Sequence, residues 1–154
     1  MKKILYLIIL VGLNCLFIRQ SGELNQQQES YQVITQEEII KDNSVLGLIN
    51  QERINRELQP FIRSEKLDKV AKCRADYLVD NDLWTHDGFQ NCFTSNGVYN
   101  FYGENLAKNW ATNKAQMNAW MNSETHKNNI LGDYKYIGIA ELNNVFVTVF
   151  SKRL

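Results

Sequence analysis

The stretch Tyr134–Lys152, YKYIGIAELNNVFVTVFSK, decides what kind of fold this chain adopts. It contains two runs of period-2 alternation, the signature of strands, on either side of Asn143-Asn144. Asparagine tolerates positive φ, so the pair suits a two-residue hairpin turn. An antiparallel hairpin sheet of this size must cover its apolar face with helices, so helices before and strands after give an α+β or layered α-β-α arrangement.

Working back from the hairpin, Thr112 caps a helix over TNKAQMNAWMNS, with Met117, Trp120 and Met121 as its buried stripe. That stripe reads as core rather than ligand pocket. Further upstream, Leu67, Val70, Ala71, Ala75 and Leu78 recur at helical spacing behind a Ser64 cap. A first helix carries Val45, Leu48, Ile49 and Glu52, broadened by Leu46, and ends before Pro60. Its start is a capping box, Thr35 at N-cap and Glu38 at N3. The segment from Asp87 to about Ala111, with Gly88, Gly97 and Gly103, reads as irregular. A stretch of that length in a small domain builds a site or holds a short strand.

The chain has 154 residues, 44% hydrophobic, enough for one domain with a real core. Lys2 and Lys3 followed by an apolar run from Ile4 to Ile18 read as a secretory signal peptide over residues 1–20. The run is short of the roughly 20 residues a membrane span needs, so no stable span is expected in the mature form. An uncleaved anchor is the alternative; Cys15 is a poor match to a lipoprotein signal. Residues 21–34, polar and Gln-rich, form a linker, and residues 35–154 the domain. With the leader go Lys2, Lys3 and Arg19, which turns 17 basic against 17 acidic residues into 14 against 17. Nucleic acid is therefore not an expected partner. Cys73 and Cys92 remain in a chain bound for an oxidising compartment and either form one disulfide or stay as two thiols.

The only two histidines, His86 in LWTHDGF and His126 in WMNSETHKNNIL, belong to segments that form a pattern in order. LGLINQERINRELQPF, KLDKVAKCRADYLVDNDLWTHDGF, YGENLAKNW and AWMNSETHKNNILGDYKYIGIA together resemble the CAP superfamily of cysteine-rich secretory, antigen 5 and pathogenesis-related proteins. The resemblance runs from about Val45 to Phe150. It rests most on GEN at Gly103–Asn105, on W-x-x-S-x-x-H-x-x-x-I-L from Trp120 to Leu131, and on IGIA at Ile137–Ala140. The animal and plant signature GHYTQ and their multiple disulfides are missing, so the chain looks like the short microbial type.

The resemblance implies a three-layer α-β-α sandwich with a central antiparallel sheet and a large cleft lined by two histidines and two acids. His86, Glu104 and His126 match three of these positions. Where the animal and plant branch has the second acid this chain has Ser123, and Glu124 lies one position later. Family members bind lipids or partner molecules, so a secreted, extracellular domain with a lipid, small-molecule or protein ligand is implied. Two neutral imidazoles with carboxylates can hold a divalent cation such as Zn²⁺, with His86 and His126 as ligands. The same groups could act in acid-base chemistry, which makes a metal-dependent hydrolase with Glu104 or Glu124 as general base the alternative.

Overall fold

The computed structural model describes residues 42–99 and 102–154. The leader, the 21–34 linker and the capping box at Thr35 lie outside them. Helix α1 covers Val45–Ile54 and starts at Ser44, whose hydroxyl accepts the Gly47 N–H. This corrects the upstream start read from Thr35, because Asp42 and Asn43 are not helical and Ser44 caps the helix locally. A two-residue strand β1 (Ile62–Arg63) leads into α2 (Glu65–Asp80), capped by Ser64 through the Leu67 N–H. Then come α3 (Phe89–Ser95) and β2 (Tyr102–Lys108), both inside the stretch read as irregular. Helix α4 (Asn113–Met121) has Thr112 as its cap, and α5 (Glu124–Leu131) follows as a separate helix. Ser123, in extended conformation, breaks the two apart. Strands β3 (Tyr136–Leu142) and β4 (Val145–Ser151) form the hairpin. At its turn Asn143 and Asn144 both adopt positive φ, 49° and 61°.

The sheet has the order β1-β3-β4-β2. It is antiparallel across β3, β4 and β2, and β1 adds to β3 in parallel, so a short parallel pair flanks the expected antiparallel core. Alternation along the strands separates two cores. Leu106, Val145, Val147 and Val149 pack with Leu67, Val70, Ala71, Leu78 and Phe93 of α2 and α3. On the opposite face Ala107, Ile137 and Phe150 pack with Ile49, Met117, Trp120 and Ile130 of α1, α4 and α5. Those two cores make the α-β-α sandwich.

Two side chains act as fasteners in the α1 layer. Buried Arg53 donates to the carbonyls of Gln59 (2.7 Å), Ile130 (2.7 Å) and Gly132 (3.1 Å), tying α1 to the end of α5. Its guanidinium lies 3.7 Å over the Phe61 ring, and burial pushes its pKa down to about 10 against the opposing pull of Asp133. Asn50 pairs with both the N–H (2.8 Å) and the carbonyl (3.1 Å) of Phe61, replacing a strand partner there.

Candidate functional site

Strand alternation explains GEN one residue at a time. Gly103 and Asn105 face the α5 layer while Glu104 faces α2. A Cβ on Gly103 would sit 2.7 Å from the Asn129 Oδ1, so a larger residue there would push aside the Asn129 side chain that ties α5 to β2. Asn105 donates to the His126 carbonyl at 3.0 Å, and Asn129 donates to Asn105 Oδ1 (2.9 Å) and to the Glu104 carbonyl (3.0 Å). Helix α5, and His126 on it, is thereby fixed to β2.

Glu104 is 5% exposed, and both its oxygens are engaged. Oε2 accepts from Arg74 Nε at 2.8 Å and Oε1 pairs with His86 Nδ1 at 2.9 Å. Arg74, 1% exposed, also donates to the carbonyls of Asp87 (3.2 Å) and Thr85, so one guanidinium anchors the loop on either side of His86. The site residues expected from the sequence motifs do not include Arg74. Its signal was there: it sits inside the apolar stripe of α2, between Ala71 and Ala75, where a cation needs a buried partner. Asn105 and Asn129 were likewise passed over as spacers within the motifs.

A carboxylate only accepts, so neutral His86 carries its proton on Nδ1 and keeps the Nε2 lone pair free. The His126 imidazole is held below the ordinary histidine value, first by burial and then by repulsion from His86. An open cleft of about 460 Å³ runs along β2, walled by Trp84, Trp110 and Trp120 and reached by Ser123 and His126. Trp120 donates its indole N–H to the Leu106 carbonyl at 3.0 Å.

The structure therefore joins His86 to Glu104 and places Ser123 and His126 on the wall of the cleft, which His86 and Glu104 do not line. Glu124 is exposed in the first turn of α5 and does not line the cleft, so the second acid is not gathered with the others. Among the described residues no three His, Cys, Asp or Glu side chains cluster as a metal cage would require. The side chains that could hold a divalent cation are the imidazoles of His86 and His126. Glu104 orients His86 from behind, as a carboxylate does for a ligating histidine. Cys73 and Cys92 are bonded, Cα to Cα 5.8 Å, joining α2 to α3.

The sequence profile of CAP, the cysteine-rich secretory protein family, matches residues 46–144. The uncharacterized protein YkwD of Bacillus subtilis (strain 168) is 32% identical over 106 residues, covering 64% of this chain but 41% of YkwD. An extracellular protein containing an SCP domain from Bacillus anthracis superposes with a TM-score of 0.67 at 22% identity, over 71% of this chain and 39% of that one. An outer surface protein from Borrelia burgdorferi gives 0.65 at 30% identity, over 71% of this chain and 90% of that one. Among the described residues no helix is long and apolar enough to cross a membrane. The motif residues, their hydrogen-bonded positions and the matched span agree: the chain belongs to the CAP family of cysteine-rich secretory proteins.

Proposed function

We propose that the chain is exported and acts as an extracellular binding domain, taking a lipid, small-molecule or protein ligand in the cleft along β2 rather than converting it. One observation carries this reading: Glu104, the acid at the motif position, is buried with its oxygens on Arg74 and His86. So placed, it orients an imidazole and does not face a substrate as a base. The extracellular and outer-surface descriptions of the similar structures support the location. The chain spans less than half of YkwD and of the Bacillus anthracis protein, so what those whole proteins do is not carried over.

The metal-dependent hydrolase is the second reading, favoured by the free Nε2 of His86 beside His126. A divalent cation on the two rings would act as a Lewis acid there. In both readings the imidazole pair is the cation site. Calorimetry with Zn²⁺ at pH 7.5 is expected to show binding that disappears by about pH 5, because a protonated ring has no lone pair to give. His86→Ala and His126→Ala should each abolish it, and Lys127→Ala should not. Equal zinc affinity in wild type and both histidine variants would overturn the pair as a site.

A further inference from the structure

Two indoles stand half out of water in the cleft: Trp84 is 51% exposed and Trp110 45%. Neither is carried on loose chain. The carbonyls of Thr85 and Asp87, just beyond Trp84, accept from Arg74. Trp110 follows Asn109, which is held in the left-handed region (φ 60°) with its N–H donated to the Asn144 carbonyl at 3.0 Å. Large aromatic surfaces presented by fixed backbone bind with a smaller ordering cost than those on loose chain. The rest of the wall is mixed: apolar Leu106, Ala107, Ala119 and Trp120 lie beside polar Lys108, Asn109, Ser123 and His126.

These features select among ligand classes. A cationic ligand is disfavoured, because the Lys108 ammonium already lies 6.0 Å from the Trp84 ring centre and sets a positive charge in the cleft. A hydrocarbon chain would cover the indoles but strip water from the asparagine, serine and imidazole without replacing those hydrogen bonds. A pyranose ring with equatorial substituents meets both demands. Its face of C–H bonds, slightly positive, lies on the negative face of an indole, and its edge hydroxyls bond to the polar groups around it. The volume of about 460 Å³ is on the scale of a small-ligand site. We propose that the cleft binds a β-linked carbohydrate chain, neutral or acidic, whose rings stack on Trp84 and Trp110. The proposal rests on the cleft being a binding site and names what it binds.

The test is titration of the folded protein with a tetramer of β-1,4-linked N-acetylglucosamine, read by tryptophan fluorescence and calorimetry. A saturable emission change is expected in wild type and in Lys72→Ala, an exposed control on α2. Trp84→Ala and Trp110→Ala should each weaken binding by about tenfold or more, the scale of one lost aromatic stacking partner with its buried area. Trp110→Phe, which keeps a ring, should recover much of it. Far-UV circular dichroism of each variant checks that the half-exposed positions leave the fold intact. The absence of a saturable response to the sugar, with zinc still bound by the imidazoles, overturns the carbohydrate class and leaves the binding reading standing. Saturation of the same signal by oleate but not by the tetramer also overturns it, in favour of an apolar ligand. Sugar affinity unchanged in both folded tryptophan-to-alanine variants would mean that the indoles are not the platform.

Discussion

At Arg74 and Glu104 two opposite charges lie out of water, each 5% exposed or less. Removing one partner of such a pair leaves the other charge uncompensated, which costs about 3–5 kcal/mol in buried pairs. Here the same loss would also release the Thr85 and Asp87 carbonyls, and with them the loop bearing Trp84 and His86. His126 makes a different demand, which appears on acidification. Its folded-state pKa is depressed, so as pH falls the unfolded chain takes up the proton first and gains stability relative to the fold. The stability His126 contributes is present above the ordinary histidine value, about 6.5, and is lost as pH falls through the lower folded value. With chelator present, thermal midpoints measured from pH 7.5 to 5 should therefore fall less steeply for His126→Gln than for wild type. Parallel curves would show that the ring is not desolvated. The sequence pointed to His86, Glu104 and His126 because they stand at the motif positions of the family that the chain resembles. It did not show Arg74, Asn105 and Asn129, because their partners, the Glu104 carboxylate among them, lie far away in sequence and are brought close only by the fold.

Among the elements, legibility followed length and capping. Helices α2 and α4 have side-chain caps and apolar stripes and were readable, as was the hairpin with its Asn-Asn turn. Helix α3 has seven residues and only Gly88 (φ 75°) at its N-cap, with no side-chain cap, so nothing local announces it. It is held by contacts distant in sequence. Phe93 stacks on Tyr102 at 4.4 Å, Phe89 meets both rings edge-on, and the Cys92 disulfide reaches α2. The bridge closes a loop of sequence separation 19, for which about 2–4 kcal/mol of stabilisation is expected. Urea unfolding of Cys73→Ser/Cys92→Ser should show a stability lower by about that amount. A change under about 0.5 kcal/mol, well below that range, would mean that the aromatic cluster holds α3 unaided. The exposed edge of β2 is managed at this scale too: the Glu104 and Leu106 carbonyls are taken by Asn129 and Trp120, which leaves less of the strand open to pairing with another chain.

Across the whole domain, two layers press on one sheet, and Gly138 marks where they press hardest. A Cβ there would fall 2.1 Å from the Leu67 carbonyl carbon, which belongs to the α2 backbone and cannot swing aside as a side chain can. Within IGIA this glycine sets the distance between α2 and β3. Gly138→Val should lower the thermal midpoint sharply, because overpacking against backbone costs about 1–3 kcal/mol or more. A midpoint within about two degrees of wild type, read by calorimetry, would show that α2 can retreat at little cost, since roughly 1 kcal/mol shifts a domain of this size by several degrees.

The strand order has one more consequence. Strand β4 comes last in sequence among the described strands, yet it lies between β3 and β2, which do not pair with each other. Its residues Val147, Val149 and Phe150 contribute to both cores. Until residues 145–151 have left the ribosome the sheet has no centre and neither core can form. At a synthesis rate of about 5–20 residues per second, the emerging chain spends on the order of ten seconds as an unfolded polymer before its sheet can close.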